Sequence, residues 1–399
     1  MRVKSVGLLT IAHAAADINQ GAIPVLLPFF ITAHHLSYAA AATIVFAVNI
    51  VSTVTQPLFG YISDRRPRPW LIPVSMLIVG LGVSYTGLAP GYWIGVVAVM
   101  VSGLGVAMFH PEGARLMNHL AENKKATAMS LFGIGGQLGF ALGPLVATAL
   151  LLSWGLTGTV FLIVPSVVIA GLVVFSLPAL TKGYDIKGTA GSGPAPTGEK
   201  DDWPAFLCLS SALLCRSVIF YGLNTFLPLF WINVMHGTKA AAGFALAVFL
   251  GSAIAGNFMG GRTADRVGLR GVTIIAFIIL SGSFPLLLLA GRPVIALLLL
   301  VPIGLLLAAP FGPMVVLGQS YLPNRIGLAS GITLGLAFSF GGLTTPVLGW
   351  IADHHGLRAT MSVVAFMPII CTCLLLMLPR GKKDKAPPDR VDSRQEKAL

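Results

Sequence analysis

GYISDRRPRP at residues 60–69 and GRTADRVGLR at residues 261–270 share a Gly-x-x-x-Asp-Arg core, with Asp64-Arg65 and Asp265-Arg266 standing 201 positions apart. Each stretch closes a long apolar run. A second pair keeps nearly the same offset. GIGGQLGFALGPLVA at 133–147 aligns with GLAFSFGGLTTPVLG at 335–349, so that Gly133, Gly139 and Pro144 recur as Gly335, Gly341 and Pro346, each 202 residues later. One plan is therefore written twice in the chain. Two parallel repeats of membrane spans imply a site at their interface, near mid-membrane and reached alternately from either side.

Composition supports a chain dissolved in lipid. Of 399 residues, 55% are hydrophobic and 10% charged, with a mean hydropathy of +0.86; soluble domains carry roughly 25% charge. A helical span needs about 20 apolar residues. Twelve such runs are expected, at 7–31, 39–62, 70–89, 93–114, 127–151, 157–179, 204–232, 240–262, 271–290, 294–318, 326–351 and 358–379. The fold expected is an all-α membrane protein of two six-helix pseudo-symmetric halves. Residues 1–180 form the first half and 204–380 the second. The Gly-, Pro- and charge-rich segment 181–203 reads as a linker, and 381–399 as a polar tail. The first run is too long for a signal peptide, contains Asp17, and leads into further spans, so it reads as a retained helix.

The net charge of +12 is topological. With the N-terminus inside, 21 of the 26 Lys and Arg fall in cytoplasmic segments, while Lys239, Arg292 and Arg358 fall outside. That asymmetry places both termini in the cytoplasm. No basic patch is interleaved with aromatics, so a nucleic-acid partner is not expected. The four cysteines, Cys208, Cys215, Cys371 and Cys373, lie in apolar runs without metal-ligand spacing and read as small buried hydrophobes.

In combination these motifs resemble the major facilitator superfamily. Gly60 to Arg65 is similar to its cytoplasmic loop signature, and Gly139-x-x-x-Gly143-Pro144 to the signature associated with antiporters. A narrower resemblance is to the fosmidomycin-resistance branch of drug exporters. It rests on His13 and Asp17, on His110-Pro111-Glu112 with Arg115, on Leu322-Pro323-x-Arg325-Ile326-Gly327, and on Ile351-Ala352-Asp353-His354. The resemblance implies a monomeric multi-pass transporter of the bacterial inner membrane, powered by the proton gradient and without a cofactor. Val99 stands where the general drug-antiporter pattern has an arginine before Ser102-Gly103, so coupling schemes built on that arginine do not carry over.

Charged groups within spans are costly and usually carry work or a partner. His13 and Asp17 are i,i+4 and share a helix face, continued by Gln20 and Pro24. At 1.5 Å per residue Asp17 lies about 15 Å deep. A carboxylate so far from water can exchange a proton; the alternative is a fixed ion pair that only joins helices. Arg216, in the pseudo-equivalent seventh span, reaches about 18 Å. It is a candidate partner for Asp17 and a planar fork for a phosphonate or carboxylate substrate; a packing role is the alternative. His110 lies about 26 Å along the fourth span and Glu112 about 29 Å. His110 is a proton-transfer candidate or a packed, hydrogen-bonded histidine. Glu112 is a candidate in the proton path. With Arg115, Asp64 and Arg65 it also reads as a cytoplasmic latch, echoed by Asp265 and Arg266, that breaks when the halves rock; an ordinary interfacial ion-pair cluster is the alternative. Gln137 is a candidate uncharged substrate contact or an interhelical hydrogen bond, and Asn49 and Asn224 are further substrate candidates.

The function expected is proton-coupled export of small drug-like or anionic compounds, fosmidomycin-like by resemblance. The alternative is a proton-coupled importer of an organic anion or sugar acid on the same fold. An enzyme is not expected, because the sequence shows no nucleophile–base pair, metal cluster or phosphate loop.

Overall fold

A computed structural model describes residues 2–65, 68–121, 125–183 and 200–379. The segment 184–199, inside the expected linker, and the tail 381–399 lie outside the described residues. So do the side chains of Asp64 and Arg65. Among the described residues the regular structure is entirely helical.

The first half comprises α1 (Val3–His34), α2 (Tyr38–Arg65), α3 (Leu71–Thr86), α4 (Tyr92–Leu120), α5 (Lys125–Trp154) and α6 (Ile163–Leu180). A 3-10 turn, Gly155–Leu162, joins the last two. The second half comprises α7 (Trp203–Asn233), α8 (Lys239–Val267), α9 (Leu269–Leu289), α10 (Pro293–Ala308), α11 (Phe311–Tyr321) and α12 (Ile326–Leu376). These elements make twelve spans. The expected tenth span is broken at Ala309 and Pro310 into α10 and α11. The eleventh and twelfth form one long element, bent at Gly356, whose φ of 83° is readily reached only without a Cβ.

Lipid offers no hydrophobic force between helices, so close packing through small residues holds them. Gly135, Gly139 and Gly143 of α5 rest on the carbonyls of Thr10, Ala14 and Ile18 of α1, in steps of four. The repeat counterpart Gly341 rests in the same way on the Ser217 carbonyl of α7. These two pairs, α1 with α5 and α7 with α12, are the most extensive helix contacts. Large apolar side chains such as Trp93, Phe175 and Leu298 remain exposed around the outside, as a lipid-facing surface requires.

The halves meet along α2–α12, α5–α8 and α1–α7. On the side away from the chain termini they are clamped. Both carboxylate oxygens of Asp353 accept from the first N–H groups of α2, Tyr38 at 2.7 Å and Ala39 at 3.0 Å. Thr345 donates to the Ala42 carbonyl at 3.2 Å, and Gly349 lets α12 lie directly on Ala39. Lys239 sits 4.0 Å above the Phe29 ring. Toward the terminal side α5 and α8 part around a groove of about 780 Å³, lined mostly by apolar residues such as Ile134, Leu138 and Phe258. The groove therefore runs along the α5–α8 seam toward the face that carries the termini.

Candidate functional site

Three ionisable side chains converge where α1, α4 and α5 meet. His13 and Asp17 come from α1 and His110 from α4. The His13 Nε2 lies 3.2 Å from one carboxylate oxygen of Asp17, and the His110 Nε2 lies 3.9 Å from the other. The two imidazole rings meet edge to face, 5.1 Å apart. Phe132 and Phe109 wall the His13 ring at 4.0 and 5.6 Å. Asp17 is 9% exposed and His13 7%. Gly136 of α5 closes the group from the side. A Cβ there would run into the His13 ring and the Asp17 carboxylate, so the glycine makes room for them.

Hydrogen bonding sets the state of both rings. The His13 Nδ1 lies 2.8 Å from the Phe132 carbonyl and the His110 Nδ1 lies 2.9 Å from the Val106 carbonyl. A carbonyl only accepts, so each Nδ1 carries a hydrogen and donates it. In the neutral rings both Nε2 atoms are then bare lone pairs, and both face a carboxylate. Consistent with this, the buried His13 Nε2 makes no aligned hydrogen bond despite its nearness to Asp17. Acceptors crowd acceptors until a cation arrives. One proton, placed on either Nε2 or on Asp17, turns repulsion into a charge-assisted hydrogen bond. The same donors, all within 4.8 Å of one another, are of types that Zn²⁺ accepts. Ligand atoms at about 2.0–2.1 Å from one tetrahedral ion lie roughly 3.4 Å apart, however, so this group is spaced more loosely than a closed metal site.

The structure does not bring Arg216 to Asp17. Arg216 is 7% exposed. Its Nε donates to the Leu307 carbonyl at 3.0 Å, and its guanidinium lies 4.8 Å from the Phe311 ring centre. Leu307 and Phe311 flank the break between α10 and α11, where a carbonyl that would bond i+4 in a continuous helix needs another donor. The arginine supplies it within its own half.

Glu112, 1% exposed, accepts from the Ser63 hydroxyl and, at 3.0 Å, from the Arg68 N–H. Arg115 donates to the Ser63 carbonyl. Both therefore tie the end of α2 and the start of the next loop onto α4, inside the first half. Asp265 and Arg266 are exposed at the end of α8.

Gln137 accepts from the Asn257 amide at 3.2 Å, across the α5–α8 seam. Asn49 accepts from the Tyr221 hydroxyl at 2.9 Å, again between halves. Asn224, 2% exposed, lines a cavity of about 30 Å³ with Gln20, Asn49 and Tyr221. Asn257 and Tyr221 were not singled out from the sequence. Tyr221 stands three residues before Asn224, on the same helix face, and that spacing was the available signal.

Comparison with known proteins agrees with this architecture. The family model described as Major Facilitator Superfamily matches residues 9–346. An uncharacterised MFS-type transporter of Bacillus subtilis strain 168, YfnC, is 32% identical over 387 residues, covering 94% of this chain and 93% of that protein. The fosmidomycin resistance protein of Escherichia coli K12 is 27% identical over 384 residues, covering 95% and 93%. A solved bacterial homologue of the human lysosomal transporter Spinster, in an inward-facing and occupied conformation, superposes with a TM-score of 0.80 at 16% identity, covering 97% of this chain and 99% of that one.

Proposed function

The chain belongs to the major facilitator superfamily, and from that premise we propose that it is a proton-coupled, alternating-access exporter of small drug-like or anionic compounds. The chain is a multi-pass membrane transporter and not an enzyme. What carries the proton reading is the convergence of two bare imidazole Nε2 atoms on the buried Asp17 carboxylate. Such a group has a seat for one proton and little use without it. Asp17 and the two histidines hold that proton between them. Glu112 remains in the proposed path only by nearness to His110 on α4.

The positive-inside distribution supports placing the termini, and so the open face of the groove, in the cytoplasm of a bacterial inner membrane. A monomer suffices, because both halves of the site come from one chain. Compounds enter from the cytoplasm into the largely apolar groove, where Gln137 offers an uncharged contact, and Asn49 and Asn224 offer others in the small cavity between the halves. Arg216 offers a cation to anionic substrates once the region around the α10–α11 break rearranges. Protonation from outside resets the cycle. Likeness to a fosmidomycin resistance protein makes fosmidomycin the first compound to try.

The test is reconstitution in proteoliposomes that contain a pH-sensitive dye. Addition of fosmidomycin to the face carrying the termini should drive protons the opposite way, and Asp17→Asn should abolish the exchange. Fosmidomycin transport that ignores an imposed pH gradient would refute proton coupling.

A further inference from the structure

We propose that Gln20 and Asn224 form a subsite between the halves that receives an uncharged hydrogen-bonding group of the transported molecule. The proposal rests on the transport reading above but not on its direction or its coupling ion. The small cavity of about 30 Å³ draws its lining from both halves: Gln20 of α1, Asn49 of α2 and Phe140 of α5 on one side, Tyr221 and Asn224 of α7 on the other. Two of its polar side chains satisfy each other. The Tyr221 hydroxyl donates to Asn49, and the Asn49 amide donates to the Val45 carbonyl at 2.7 Å.

The other two are left over. The Gln20 Nε2 and the Asn224 Oδ1 are buried, and neither has a hydrogen-bond partner among the described residues. One is a donor and one an acceptor, and they come from opposite halves. An orphaned buried amide destabilises a protein, and native structures keep few without a reason. A ligand group that both donates and accepts would satisfy the pair. The pair keeps one donor and one acceptor if both amides are turned together, whereas turning one alone leaves two groups of the same kind.

The chemistry of the lining narrows the class. It holds no Lys, Arg, Asp, Glu or His, so a charged group would lose its hydration there without a counter-charge. A carboxamide, a hydroxyl or a neutral hydroxamate would not. The cavity is large enough for such a group and too small for a whole drug. The cavity therefore takes one group of the transported molecule rather than the whole of it. Gln20 also stands three residues beyond Asp17, one turn along the same face. Rocking of the halves would pull Gln20 away from Asn224, dividing the subsite as the path changes sides.

Thermal unfolding of the purified full-length protein in lipid nanodiscs tests this without a known substrate. The variants are Gln20→Met and Asn224→Leu, which are apolar and of similar size. The probes are millimolar benzamide, which joins an apolar ring to a neutral amide, and benzoate, the same ring with a charge. The expected result is that both variants, without probe, melt at or above the parent temperature, since each loses an orphan. Benzamide should raise the melting temperature of the parent but of neither variant, and benzoate should raise none. Variants that melt below the parent would show that these amides serve the fold, and the proposal would fall. It would fall equally if benzamide left the parent unchanged or if benzoate protected as well. Should Asn224→Leu not fold, Asn224→Ala is judged by its benzamide shift alone. Failure of proton-coupled fosmidomycin transport would leave these readings intact, so the two proposals fail separately.

Discussion

The two halves repeat their packing but not their chemistry. Gly139 on α5 and Gly341 on α12 sit 202 positions apart, and each lies on a carbonyl of the helix it crosses, Ala14 on α1 and Ser217 on α7. The side chains those crossings carry differ. The α1 side holds two imidazole Nε2 atoms, one from α1 and one from α4, near a carboxylate. The α7 side holds an arginine bonded to a backbone carbonyl under an aromatic ring. Duplication preserves what close helix contact demands, and each half is then free to carry a different polar group. The first half gathers a carboxylate and two imidazoles, the second a single arginine.

That contrast makes Asp17→Asn the most damaging change. The amide can donate to a bare Nε2, so the cluster is satisfied without a proton and the protein should still fold. Proton-driven transport in vesicles should drop to the level of protein-free liposomes. Normal flux under a pH gradient would move the coupling site elsewhere and remove the functional difference between the halves.

Gly139→Ala and Gly341→Ala probe the shared part. A methyl at either place meets backbone rather than a flexible side chain, and overpacking of this kind costs about 1–3 kcal/mol. Both variants should lose stability in thermal unfolding by similar amounts. A large loss at one and none at the other would mean that the repeat in sequence is not a repeat in packing.

How far the sequence reached can be judged from the same helices. The spans were legible because lipid demands long apolar runs, and the repeat was legible because close contact demands glycine. Depth was legible too, since rise per residue is fixed. Counted from their ends on the terminal side, His13 lies ten residues from Val3 and His110 ten residues from Leu120, so both stand about 15 Å in. The sequence reading counted His110 from the far end of its helix and did not bring it to Asp17. Direction around the helix was not legible. Asp17 and Arg216 do lie at similar depths, 14 residues from Val3 and 13 from Trp203, yet Arg216 faces the α10–α11 break. Helix rotation is set by packing against neighbours, which one sequence does not display. The break itself was also hidden, because Pro302 lies within α10 without ending it while the chain parts near Pro310.

Arg216 gives a finer measure of the contrast. If it serves only the broken span, Arg216→Ala should lower stability and affect every substrate alike. If it also meets anionic substrates, their apparent KM should rise roughly 10- to 150-fold more than that of neutral ones, as expected when a hydrogen bond to a charged group, about 1.5–3 kcal/mol, is lost. Vesicle transport of a phosphonate and of an uncharged drug, measured side by side, separates the two outcomes.

Glu112→Gln carries the smallest expected effect and bears on the latch read from sequence. A latch exists in one conformational state, so breaking it shifts a population; about 1.4 kcal/mol would change the ratio of states tenfold. The described bonds of Glu112 and Arg115 join α4 to the end of α2 and the loop after it. Glu112 receives the Ser63 hydroxyl and the Arg68 N–H, and Arg115 grips the Ser63 carbonyl, all within the first half. The side chains of Asp64 and Arg65, the other members of the latch, lie outside the described residues. The glutamine retains one acceptor oxygen for Arg68, and its amide can donate to Ser63, so the loss should be about 0.5–1.5 kcal/mol of overall stability. Spin labels near the terminal-side ends of α2 and α8 should report the same distance distribution in parent and variant. A distribution that shifts toward one state would support the latch and make this corner of the first half a moving part of the transport cycle.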